Sequence, residues 1–149
     1  MNDKKQDSGI LLIGHGSRLP YNKEVIDKIA EKYSEIMPNY NIEVGYMELC
    51  EPSISQAFNK LKETGVNRII VQPVFLAEGM HTKADIPTLL KFCAKGSEPD
   101  NVNIELSNKD NEVIKSESSA FTGELIYLEP IGPDDGIANL ITQRIQENL

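Results

Sequence analysis

Short unbroken apolar runs alternate along this chain with stretches in which apolar residues recur every three or four positions. Gly9-Ile-Leu-Leu-Ile-Gly14 has no polar alternation, the pattern of a strand covered on both faces. Asn22 to Met37 follows, with Val25, Ile26, Ile29, Ala30, Tyr33 and Ile36 at helical spacing and Pro38 to stop the helix. Ile42 to Leu49 predicts a second strand. Ser53 to Thr64 predicts a second helix, with Ile54, Ala57, Phe58 and Leu61 on one face and Gly65 as its stop. Arg68 to Val74 is the third predicted strand and Thr82 to Lys95 the third helix. Leu125 to Leu128 is the fourth strand, and Asp134 to Asn148 a closing helix bearing Ile137, Leu140, Ile141 and Ile145.

Strands alternating with helices of this length imply right-handed crossovers and a parallel sheet. The expected class is α/β: a single flavodoxin-like three-layer domain spanning residues 1–149, its four strands ordered 2-1-3-4. The stretch from Gly96 to Gly123 breaks the rhythm, being rich in Ser, Asn, Asp, Glu and Lys. It reads as a polar, mobile surface insertion, with Val102, Ile104 and Leu106 as an alternative short edge strand.

Composition narrows the function classes. Fifteen Lys and Arg against 23 Asp and Glu leave a formal charge of −8, which argues against a nucleic-acid binder that works by neutralising phosphates. No apolar run approaches the roughly 20 residues needed to cross a bilayer, and Met1 to Ser8 has no signal-peptide character. Cys50 and Cys93 lie outside any CxxC spacing and read as reduced, partly buried thiols, Cys50 as a core residue. The expectation is a cytoplasmic protein that meets neither membrane nor nucleic acid.

In an open parallel sheet, ligands bind beyond the carboxyl ends of the strands, where the strand order reverses. For the order 2-1-3-4 that place lies between strands 1 and 3. The chain has two histidines, and both belong there: His15 follows strand 1 in Gly14-His-Gly-Ser-Arg18, and His81 follows strand 3 in Leu76-Ala-Glu-Gly-Met-His-Thr-Lys83. A single histidine in a strand-to-helix loop is commonly a surface or capping residue; two converging on one crevice point to a site. Neutral imidazole suits Co²⁺, Ni²⁺, Fe²⁺ or Zn²⁺, and an ordinary pKa near 6.5 leaves such a ring largely able to bind metal or accept a proton at pH 7. Two ligands are too few for a closed structural zinc site, so a transient metal site and an acid/base pair are both open.

Gly14 and Gly16 permit a sharp turn, after which backbone N–H groups near Ser17 could hold a carboxylate or phosphate, although glycine serves tight turns for steric reasons anyway. Glu48 and Glu51 end strand 2. Either could orient a ligand, and Glu51 is equally readable as a loop carboxylate favoured by the dipole of helix 2. The negative surface favours arrival of a divalent cation, so an anionic organic substrate needs help from Arg18, Lys23 or Lys83.

Four blocks carry a family resemblance. Leu12-Ile-Gly-His-Gly-Ser-Arg18, Met47 to Ile54, Val71 to Pro87 and Tyr127 to Asp134 resemble the small archaeal sirohydrochlorin cobaltochelatases of cobamide synthesis and the similar nickelochelatases of coenzyme F430 synthesis, of the class II chelatase type. The resemblance implies insertion of Co²⁺ or Ni²⁺ into sirohydrochlorin without nucleotide hydrolysis and with no tightly bound cofactor, the metal being a substrate. It implies His15 as metal ligand and proton acceptor and His81 as second metal ligand. Glu51 and the segment Leu76, Ala77, Glu78, Gly79, Met80 and His81 would contact the macrocycle, with Ser17, Arg18, Glu48 and Lys83 as auxiliaries. Some small members carry a histidine-rich tract where this chain has Gly96 to Gly123, which here holds no histidine. One flavodoxin-like half covers one side of a large planar ring, so a homodimer with the cavity between copies is expected.

Two other readings compete. A phosphohydrolase with a histidine nucleophile needs an Arg-His-Gly run to clamp the phosphoryl group, and Gly14 stands where that arginine belongs. A tetrapyrrole or metal carrier with the same crevice is the non-enzymatic alternative.

Overall fold

The computed structural model describes residues 6–96 and 120–149. The expected insertion at about 96–123 falls mostly at 97–119, outside the described residues, as do Val102, Ile104 and Leu106. Strand β1 (Ser8–Gly14) is central. It pairs in parallel with β2 (Asn41–Tyr46) on one side and β3 (Arg68–Pro73) on the other, and β3 pairs in parallel with β4 (Glu124–Tyr127). The order β2-β1-β3-β4 is the one predicted, and it puts the reversal of strand order between β1 and β3.

Between the strands run α1 (Tyr21–Ile36), α2 (Ile54–Glu63) and α3 (Ile86–Ala94), and α4 (Asp135–Gln146) follows β4. Helix α2 starts at a reciprocal cap: the Ser53 hydroxyl accepts from the Gln56 N–H at 3.1 Å, and the Gln56 side chain accepts from the Ser53 N–H at 2.8 Å. Its predicted face, Ile54, Ala57, Phe58 and Leu61, is buried against Leu11 and Ile13 of β1, Ile69 and Val71 of β3, and Ile86, Leu90 and Cys93 of α3. This is the main core, and it fixes the end of the sheet from which the functional loops emerge.

The opposite face is thinner. Ile10 and Leu12 of β1 and Ile26 of α1 are buried there, while Val25, Ile29 and Ile36 of the same helical stripe stay exposed. Helix α4 buries no side chain at all, with Leu140, Ile141 and Ile145 about half exposed. Helical periodicity shows that such positions share a face but not what the face meets.

Two predicted boundaries move by more than two residues. Strand β2 ends at Tyr46 rather than Leu49, because the chain turns away through Leu49, which adopts φ 64°. Cys50 therefore lies in a loop, where strand alternation no longer applies, and is half-buried rather than core. The third helix starts with a wide π-helical turn, His81–Asp85, before the α-helical register resumes at Ile86.

Candidate active site

His15 leaves the carboxyl end of β1 and is held there by its backbone. The Glu48 N–H donates to the His15 carbonyl at 3.3 Å and the Met47 N–H to the Gly14 carbonyl at 3.1 Å, while the Val74 N–H donates to the Ile13 carbonyl at 2.9 Å from the β3 side. The next residue requires glycine. Gly16 has φ 84°, a Cβ there would run into the Glu48 carbonyl, and its N–H is capped by the Asn22 side chain at 3.0 Å. Gly14 is required for packing, since a Cβ would lie 2.7 Å from the Tyr46 ring. Tyr46 is itself buried and tied through its hydroxyl to Asp27 and the Lys23 carbonyl. Burial and then Asp27 push its phenol well above the ordinary tyrosine range, so it remains a neutral donor.

His81 opens the π-helical turn after the β3 loop. Its ring centroid stands 5.1 Å from that of His15 with the planes at 76°, and Phe75 packs edge-on to His15 at 6.1 Å. Both histidines commit the same nitrogen. The Nδ1–H of His15 donates to the Gly16 carbonyl at 2.9 Å, and that of His81 donates to Asp85 Oδ2 at 2.9 Å. Those acceptors assign the tautomer, a hydrogen on Nδ1 and a lone pair on Nε2 of each ring. Two Nε2 lone pairs are thereby left as the groups available to an incoming ion or proton. No cluster of three or more His, Cys, Asp or Glu suited to hold a metal exists among the described residues; the two imidazoles stand as a pair.

The recess these rings share is lined by His15, Phe75, Ala77, Glu78, Gly79, His81 and Thr82. Its volume of about 110 Å³ is below the roughly 300–1,000 Å³ of sites that enclose a drug-sized ligand. Leu76 and Met80 are exposed, at 64% and 75%. Of the predicted auxiliaries, Glu48 places Oε1 3.9 Å from His15 Nδ1, Lys83 pairs with Glu78 at 3.2 Å, and the Ser17 hydroxyl accepts from the Leu19 N–H at 3.2 Å. Arg18 and Glu51 are exposed; the structure does not bring Glu51 into the lining of the recess.

Sequence reasoning missed Asp85, Phe75 and Tyr127. The signal for Asp85 was its position four residues after His81 in a predicted helical segment, which puts both on one face. Phase and spacing carry no such signal for Tyr127, whose hydroxyl reaches across from β4 to the Thr82 carbonyl at 2.8 Å.

The CbiX family model matches residues 9–148. The chain is 41% identical to the sirohydrochlorin cobaltochelatase of Methanopyrus kandleri over 140 residues, covering 94% of this chain and 96% of that one. It is 44% identical to the protein of the same name from Methanocaldococcus jannaschii over 136 residues, covering 91% and 95%. Among solved structures, a CbiX protein from Marinobacter aquaeolei superposes with a TM-score of 0.67 at 26% identity, covering 95% of this chain and 96% of that one. The fold also matches, at 24% identity and a TM-score of 0.71, the sirohydrochlorin chelatase SirB of Bacillus subtilis in complex with cobalt, of which it covers 50%.

Proposed function

The chain belongs to the CbiX family, and from that membership we propose that it inserts a divalent metal into sirohydrochlorin as a chelatase of the lyase class, Co²⁺ being the first metal to test. The observation that carries this reading is the pairing of His15 and His81 at 5.1 Å over one recess with both Nδ1 atoms already engaged. Metallation strips water from the ion, brings it over the ring and removes two pyrrole N–H protons. His81 and His15 hold the ion through Nε2 while waters leave; as the metal–nitrogen bonds to the macrocycle form, His15 releases the ion, its freed Nε2 takes one pyrrole proton, and the other proton passes to water. The released protons balance the two positive charges that enter the macrocycle. Asp85 accepts from the far side of the His81 ring and keeps its Nε2 aimed outward.

The macrocycle rests on the exposed segment Leu76 to Met80, with Glu51, Ser17 and Arg18 around it. A recess of this size in one copy supports a homodimer in which two such surfaces face one ring, and the exposed apolar positions of α1 and α4 supply area for pairing. Ni²⁺ fits the same imidazoles, which extends the reading to nickel insertion for coenzyme F430. A cytoplasmic location is part of this reading. No described helix is long and apolar enough to cross a membrane.

A spectrophotometric insertion assay with sirohydrochlorin and Co²⁺, Ni²⁺ or Fe²⁺ at matched concentration tests this. Multiple turnovers above the spontaneous rate are expected with Co²⁺. Macrocycle binding without turnover would replace the enzyme by a carrier, and hydrolysis of a phosphomonoester would replace it by a phosphohydrolase. The phosphohydrolase reading is disfavoured by Gly14 standing where the arginine of an Arg-His-Gly run belongs; Arg68 is paired with Glu124 at the start of β3, Arg144 sits in α4, and Arg18 follows His15 in an exposed loop.

A further inference from the structure

The turn that carries His81 has a defect in its own hydrogen bonding. In the π register the Ile86 N–H donates to the His81 carbonyl, five residues back. The Thr82 carbonyl is thereby deprived of its α-helical donor, since that donor would have been Ile86. Its π-helical donor would be the N–H of residue 87, which is proline and has none. A carbonyl left so in a packed turn costs free energy unless something else donates to it. The Tyr127 hydroxyl does, at 2.8 Å, from the neighbouring strand β4. Thr82 is buried, and its side chain also closes the start of the turn, accepting from the Gly79 N–H at 2.9 Å and donating to the Gly79 carbonyl at 3.1 Å.

We propose that Tyr127 is a positioning residue for metal insertion: its hydroxyl completes the wide turn His81–Asp85 and so holds His81 opposite His15. The inference rests on the reading of His81 as a metal ligand. Without the Tyr127 hydroxyl the Thr82 carbonyl loses its donor, the turn opens more often, and His81 is no longer held fixed opposite His15. Burial, and then Glu78, push the Tyr127 phenol up to about 12, so it stays a donor throughout the neutral range.

Tyr127→Phe keeps the ring and removes only the donor. In the metal-free variant, amide hydrogen exchange at Lys83 and Ile86 is expected to quicken several-fold to about tenfold while β1 amides are unchanged. In turnover, KM for Co²⁺ is expected to rise about tenfold with KM for sirohydrochlorin unaltered. Wild-type exchange at Lys83 and Ile86, an equal rise throughout β1, or an unaltered KM for Co²⁺ would each overturn the proposal. If the unmodified protein fails to metallate, the functional reading fails by itself, and the exchange measurement still decides whether Tyr127 holds the turn.

Discussion

The rings of His15 and His81 meet at 5.1 Å and 76° although one follows the first strand and the other the third. The near-perpendicular arrangement keeps the two imidazoles from stacking flat and turns each toward the recess. Each is anchored from behind through Nδ1, His15 by a main-chain carbonyl and His81 by a carboxylate. The anchors differ in kind, so the two histidines are expected to respond differently to removal of their supports.

His15→Ala and His81→Ala are each expected to lower the metallation rate by about 100-fold or more. Both side chains are over two-fifths exposed, so unfolding free energies should stay within about 0.5 kcal/mol of the parent. Initial rates followed by absorbance, paired with urea unfolding, check both parts. A His81 variant with parental rates would remove the assigned ligand.

Asp85→Asn retains an acceptor of similar shape for the His81 Nδ1–H but loses the charge. Cobalt affinity is expected to fall about tenfold, and Asp85→Ala to cost more because the ring is then free to turn. Titration of the protein with Co²⁺ alone measures this without the macrocycle. Equal affinity in all three proteins would reduce Asp85 to a helix-surface carboxylate.

Gly16→Ala forces a side chain into a left-handed backbone and against the Glu48 carbonyl. A loss of about 1–3 kcal/mol of stability is expected, together with displacement of His15. Chemical denaturation combined with the insertion assay reads both effects; a stable variant with full activity would show that the turn relaxes freely.

Stability should decline at high pH. Tyr127 ionises near 10 when unfolded and at about 12 when folded, so between those values the unfolded chain has released a proton that the folded chain still holds. Folding is then opposed progressively as pH rises through that window, and the contribution is complete below it. Tyr127→Phe is expected to flatten part of the decline in unfolding midpoints taken from pH 9 to 12. An identical slope in the variant would assign the decline elsewhere, for which Tyr46 is the next residue to replace.

Ile141→Lys puts a charge on the exposed apolar stripe of α4. If copies pair through that stripe, sedimentation equilibrium should show the dimer weakened, with loss of metallation in proportion. A dimer of unchanged affinity would relocate the interface.

The unbroken apolar run at Gly9 to Gly14 and the spacing of Ile54, Ala57, Phe58 and Leu61 were sufficient for the central strand and the main core, because full burial on both faces of a strand and on one face of a helix leaves a local periodic trace; the strand order came from the alternation of strands with helices. The two histidines were equally legible, since topology alone sends the ends of β1 and β3 to one edge. Asp85 was half legible through its distance from His81. The half-exposed stripes of α1 and α4 were not: amphipathic spacing records that a face is apolar, without recording whether this chain or another covers it.

What the linear order of residues determined, then, is which segments become strands and helices, and which loops share an edge of the sheet. It did so because hydrophobic period and crossover handedness are local or nearly local rules. The π register at His81–Asp85, the common Nδ1 anchoring of the two rings and the reach of Tyr127 to Thr82 were decided only in three dimensions. Each depends on a hydrogen bond whose partner is chosen by proximity after packing, between β4 and the turn or between a side chain and a carbonyl exposed by a backbone bend.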